Sequence, residues 1–131
     1  MNTRLEVEFR ELSVPECLAL LATATVGHLA ITHMALPLVI PVRVDLVGSE
    51  LRVTSLLGKA VPLPSGSVVA LEAGEIGDDS PLDWTVEVRG FLTRASGEVM
   101  LTTRHQFPVA DGQFHLSTEE VTGWCPVEDT F

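Results

Sequence analysis

From Pro37 to Lys59 the chain alternates apolar and polar residues with a period of two, a pattern that suits a strand and that no helix can place on one face. Leu38, Ile40, Val42, Val44 and Leu46 fall on one side, a Gly48-Ser49 turn follows, and a second run extends from Leu51 to Thr54. This reads as a β-hairpin leading into a small polar loop. Arg43 on the first strand, Thr54 and Ser55 at the end of the second, and Lys59 beyond it could converge on a phosphate. Its oxygens accept charge-assisted hydrogen bonds from Arg and Lys and ordinary ones from hydroxyls. The same four residues also read as solvated groups on half-buried strands.

Length and charge bound the rest. At 131 residues the chain fits one domain, residues 1–131, with room for a real core but not for separate cofactor and substrate domains. Its 46% hydrophobic content is rich for so small a globule and leaves apolar surface for a partner subunit, so a homodimer is expected. Eighteen acidic residues against eight basic ones give a net charge of −10, which repels polyphosphate backbones and argues against nucleic acid as a partner. No run of about 18 apolar residues is present, and the acidic start MNTRLEVEFRELS does not resemble a signal peptide. The expectation is a soluble, cytoplasmic protein with no membrane partner. Cys17 and Cys125 form no CxxC pair and read as ordinary thiols.

One helix precedes the strands. Ser13-Val14-Pro15-Glu16 is a capping box, Pro15 is tolerated in the first turn, and Leu12 and Cys17 stand at the positions of a hydrophobic staple. The helix is predicted from about Val14 to Ala22, with Leu18, Leu20 and Leu21 toward the core. Thr25 to Thr32 reads as a first strand, closed by a loop from His33 to Pro37, and the hairpin supplies strands two and three. Ser67 to Ile76 and Trp84 to Ala95 read as strands four and five, with Gly90 marking a bulge or bend. Phe114 to Ser117 reads as strand six, and the piece from Gly97 to Gln113 is ambiguous between a hairpin extension and a loop. One helix and six short strands point to a closed or partly open antiparallel barrel.

Taken in order, S-x-P-E-C-L-x-L-L, V-G-H-L-A, P-L-V-I-P-V-R-V, L-R-V-T-S-L-L-G-K, W-T-V-E-V-R-G-F and E-E-V-T-G resemble the pyridoxamine 5'-phosphate oxidase-like superfamily of FMN-binding split barrels. The likeness is greatest to its short bacterial members, and it covers roughly residues 11–96 and 117–124. It implies a mainly β fold, a six-stranded antiparallel Greek-key split barrel with one N-terminal helix, and a homodimer with each flavin ring in a cleft between subunits. It also implies that Arg43, Thr54, Ser55 and Lys59 hold the FMN phosphate, that Val53 belongs to the cofactor site, that Trp84 stands where relatives contact the flavin from the neighbouring subunit, and that Thr85 matches a ring-contacting position, although a Thr in a strand needs no function to explain it. For Trp84, burial in the dimer core is the competing reading.

Departures from the pattern are specific. The full oxidase carries Arg where this chain has Leu38, and an Arg-Lys pair where it has Lys59-Ala60. At about 1.5–3 kcal/mol for each hydrogen bond to a charged group, such losses can lower phosphate affinity by orders of magnitude. The Arg-x-His element that receives pyridoxamine phosphate is missing after Thr118, so this chain is not expected to be a true pyridoxamine 5'-phosphate oxidase. An FMN-dependent oxidoreductase acting on a small molecule is the leading expectation. The alternatives are a binding module with weak or lost flavin binding, or a member using deazaflavin or haem. His28, His33, His105 and His115 fall in no metal-ligand spacing, and no metal is expected. No G-x-S-x-G, Walker or Rossmann glycine motif occurs, and no catalytic residue is nominated.

Overall fold

The computed structural model describes residues 8–57, 63, 66–76, 83–94, 99–101, 106–108 and 113–127. Their order is β1 (Phe9–Glu11), α1 (Val14–Leu21), β2 (Val26–His33), β3 (Leu36–Val47), β4 (Glu50–Ser55), β5 (Val68–Glu75), β6 (Trp84–Arg94), β7 (Val99–Leu101), β8 (Gln106–Pro108), β9 (Gln113–Leu116) and β10 (Glu120–Pro126). The main sheet runs β1-β10-β6-β5-β2-β3-β4-β9, and an additional pairing of β6 with β9 closes it. Six strands, β6-β5-β2-β3-β4-β9, therefore form an antiparallel ring. The spatial order β5-β2-β3-β4 within it is a Greek key, because β5 returns beside the first strand of the meander. A mainly β six-stranded split barrel with one helix is the observed fold.

The split lies in β6. Its first half pairs with β10, Thr85 opposite Trp124 through Arg89 opposite Glu120, while Leu92–Arg94 pair with β9. Gly90 stands at the changeover. An added Cβ there would collide with the Ser117 carbonyl oxygen, in the segment joining β9 to β10. Ser117 N–H donates to Phe91 O at 3.0 Å, and Phe91 N–H donates to Ser117 Oγ at 2.8 Å. The glycine thus permits close backbone approach where one strand serves two partners.

Alternation places the core inside the ring. Ile40, Val42 and Val44 of β3, Leu51 and Val53 of β4, and Phe114 and Leu116 of β9 are buried against Leu29, Leu71, Val86, Val88 and Leu92. Along β3 the residues of the opposite parity, Pro37, Val39 and Arg43, are exposed. The two prolines Pro37 and Pro41 lie where β3 pairs with β2 but not yet with β4, a position where a missing N–H costs no ladder bond.

The helix begins as its sequence demands. Glu16 N–H donates to Ser13 Oγ at 3.3 Å and Ser13 N–H to the Glu16 carboxylate at 2.9 Å. Cys17 and Leu21 are its fully buried residues, one turn apart, whereas Leu18 and Leu20 are only partly buried. Burial pushes the Cys17 thiol up, so it stays protonated at neutral pH. Arg10, hydrogen-bonded to Glu16 at 3.0 Å, and the cap itself lower the Glu16 carboxyl to about 2. In the unfolded chain this carboxyl would titrate near its ordinary value of 4.5, so this stabilising contribution is complete above that pH and fades as the pH falls toward about 2. Glu16→Gln is expected to flatten that part of the acid-denaturation profile, measured by circular dichroism, while leaving the neutral side of the profile parallel.

Four sequence expectations change. The loop expected from His33 to Pro37 is a two-residue turn, Met34 and Ala35 at φ 51° and 67°, with His33 still paired to Leu36. Neither residue is a glycine or asparagine, so the turn chemistry that signals such a hairpin is missing. β1 and β10 were not expected as strands: β1 has three residues, and β10 carries Gly123 and Pro126 within it. The ambiguous segment from Gly97 contains β7, which pairs with β8 and not with β6. The sequence also reads as a proline-containing loop after Lys59 and an acidic loop from Gly77 to Asp83; of residues 58–65 only Leu63 is described, and of 77–83 only Asp83. No helix among the described residues is long and apolar enough to cross a membrane.

Candidate functional site

Arg43 and Thr54 form a directly opposed pair across β3 and β4, with their side chains on the outer face. Opposed positions bring Cβ atoms to about 4.5–5.5 Å, close enough for a guanidinium and a hydroxyl to share one phosphate oxygen set. The neighbours enforce this orientation: Val42, Val44 and Val53 are completely buried, so Arg43 and Thr54 must face outward. Arg43 has no carboxylate partner among the described residues, which leaves its charge available to a ligand. An anion fits here.

The other expected phosphate contacts behave differently. Ser55 follows Thr54 and turns inward, 7% exposed, with its hydroxyl accepting from Leu57 N–H at 3.1 Å. It closes the strand end. Val53 lies in the barrel interior, where its side chain packs and cannot reach a ligand on the outer face. Lys59 lies outside the described residues.

Trp84 and Thr85 also part company. Trp84 is 8% exposed and belongs to the core, whereas Thr85 faces outward opposite Trp124 of β10. Around Thr85 opens a cleft of about 370 Å³ lined by Glu72, Thr85, Glu87, Arg89, Thr122 and Trp124. Thr85 Oγ1 donates to Glu72 Oε2 at 3.1 Å, and His28 Nδ1 lies 3.5 Å from Glu72 Oε1. Arg89 bridges Glu87 at 2.8 Å and Glu120 at 3.0 Å; the hydrogen bond to Glu87 raises its pKa and holds it charged. Trp124 is 44% exposed.

Sequence reasoning missed Trp124, Glu72 and Glu87 as members of this site. Glu87 and Thr85 share a face two residues apart, which alternation reveals, but Glu72 and Trp124 reach the cleft only through strand pairing. Arg43 on β3 and Thr85 on β6 are separated by three strand spacings, roughly 14 Å along the sheet at about 4.8 Å each. The outer face therefore carries two separate polar features, the Arg43–Thr54 pair and an indole-walled cleft. Among the described residues no group of three His, Cys, Asp or Glu could hold a metal ion.

No protein-family model matches the chain, and no curated protein sequence matches it. Solved structures do. A FAD-binding protein from Mesorhizobium loti superposes with a TM-score of 0.66 at 22% identity, over 94% of this chain and 100% of that one. A FAD-binding protein from Mycobacterium smegmatis gives 0.65 at 18% identity, over 92% and 100%. A protein from Corynebacterium glutamicum, provisionally assigned as a pyridoxamine 5'-phosphate oxidase, gives 0.62 at 17% identity, over 89% and 97%. At such identities the likeness establishes the architecture alone: the chain shares the split-barrel fold of these three proteins.

Proposed function

We propose that this chain is a small flavin-binding oxidoreductase that holds flavin mononucleotide at the interface of a homodimer and acts on a small molecule. The observation that carries the reading is the outward Arg43, without a carboxylate partner among the described residues, directly opposite Thr54, an arrangement that could cradle one phosphate monoester. Bound FMN would supply the hydride or electron chemistry, and the protein would supply anchoring, orientation and the polar surroundings of the ring. Two of the fold neighbours bind a flavin, FAD, which favours this cofactor class over deazaflavin or haem.

A dimer is supported by apolar residues on the outer face. Val39, Ala30 and Ala70 stand in one row across β3, β2 and β5, and Val68 pairs with Phe91 beside them. Val39 is 61% exposed, Val68 65% and Phe91 50%, the kind of contiguous surface that a second copy covers. The two free thiols fit a reducing cytoplasm. A barrel that binds flavin weakly is the second reading, favoured by the inward turn of Ser55.

Titration of purified protein with FMN, followed by quenching of flavin fluorescence, tests the proposal, with sedimentation of the same sample to read its mass. Saturable binding by a dimer is expected. Arg43→Ala should weaken FMN by about tenfold or more through loss of a charge-assisted contact, and should leave the affinity for phosphate-free riboflavin unchanged. Absence of quenching at high FMN refutes flavin binding; an unaltered FMN curve for Arg43→Ala moves the phosphate elsewhere.

A further inference from the structure

The Thr85–Trp124 cleft is negatively charged, although it belongs to a site read as holding a phosphorylated cofactor nearby. Glu72 and Glu87 line it, and Glu120 stands behind them on Arg89. Three carboxylates against one guanidinium leave two negative charges, and the guanidinium is occupied by Glu87 at 2.8 Å and Glu120 at 3.0 Å. His28 adds charge only when protonated. Glu72 accepts one hydrogen bond from Thr85, at 3.1 Å, and a carboxylate has room for several more.

Beside these carboxylates stands Trp124, an indole 44% exposed on the opposing strand. A π face attracts cations, and it does so more strongly when flanked by carboxylates in a partly desolvated cleft. The same surroundings repel phosphate, carboxylate and sulfonate groups. The volume of about 370 Å³ suits a small organic molecule. The whole-chain charge of −10 adds a field that concentrates cations around the protein.

We propose that the β5–β6–β10 cleft selects a small organic cation, an amine or quaternary ammonium group on a flat apolar body, by means of Glu72, Glu87 and Trp124. The assignment of that cation as the substrate rests on the flavin reading above. Phosphorylated substrates are rejected at this cleft, so the charge preference is opposite to that of the anion cradle at Arg43.

Benzylamine, benzyl alcohol and benzyl phosphate share one ring and differ in charge, and calorimetric titration of each into the protein, with and without FMN, tests the inference. Benzylamine is expected to bind at least about tenfold more tightly than benzyl alcohol, with benzyl phosphate weakest once the Arg43→Ala change has removed the anion cradle. The Glu72→Gln/Glu87→Gln variant, altered at side chains 49% and 38% exposed, should erase the benzylamine advantage and free Arg89. Benzyl phosphate binding as tightly as benzylamine to the Arg43→Ala protein overturns the proposal, whatever the double variant does. So does an advantage that survives in a folded double variant. If FMN binds but benzyl phosphate is preferred, the cation assignment alone falls; if FMN fails to bind while benzylamine keeps its advantage, the flavin reading alone falls.

Discussion

Gly90→Ala is expected to prevent the barrel from closing in its native form. The new methyl would collide with the Ser117 carbonyl oxygen and sit 2.8 Å from its carbonyl carbon, closer than a relaxed side chain comes. The obstacle is backbone, so rotamer changes cannot relieve it. Either β6 must swing away from the β9–β10 connection or Ser117 must move, and both break the bonds Ser117 N–H to Phe91 O and Phe91 N–H to Ser117 Oγ. Overpacking usually costs roughly 1–3 kcal/mol, and a collision with main chain at a two-partner strand belongs at or beyond the top of that range. Gly48→Ala is the internal control: at φ +63° with nothing within 4 Å of the new Cβ, it should cost only the roughly 1–2 kcal/mol of a left-handed residue. Urea denaturation of both variants checks the order. A Gly90→Ala midpoint equal to that of Gly48→Ala would mean that β9 and β10 do not meet β6 as described.

The second large effect is expected from Phe114→Ala. Phe114 is 1% exposed and sits on β9, opposite Val53 of β4 and Arg94 of β6, the two strands that β9 joins to close the ring. The Arg94 guanidinium lies 5.4 Å from its ring centroid. Truncation removes a buried aromatic and leaves a cavity lined by stiff β-branched residues, so about 3–5 kcal/mol should be lost. A domain this size has about 5–15 kcal/mol in total, so the variant should unfold at much lower denaturant or be purified partly unfolded. Phe114→Leu, which keeps most of the volume, should lose far less. Equal midpoints for Phe114→Ala and the parent in urea would show that β9 does not carry the closure.

These two sites mark where sequence reading stops. Hairpin β3–β4 was legible because Leu38 to Leu46 alternate cleanly and Gly48 marks the turn, and the helix was legible because Ser13 and Glu16 are local partners. The short β1 and glycine-containing β10 were not, since their strand conformation comes from neighbours: Phe9 pairs with Pro126 and Trp124 with Thr85. Likewise Arg43 and Thr54 were nominated together from residue type, and register made them opposed. Ser55 and Val53 were nominated with them, but odd and even positions of a strand cannot serve the same face.

By itself, then, the sequence determined the local order of this protein: a capped helix, alternating strands, their inward faces, an acidic surface and one outward cation on β3. Those follow from covalent neighbours and a two-residue period. Only the tertiary structure decided that β6 divides between β10 and β9 at Gly90, that Trp84 enters the core while Thr85 meets Trp124, and that Glu72 and Glu87 share a cleft. Such groupings depend on which strands pair and in what register, and that is set by closing the barrel around a common core, not by any segment alone.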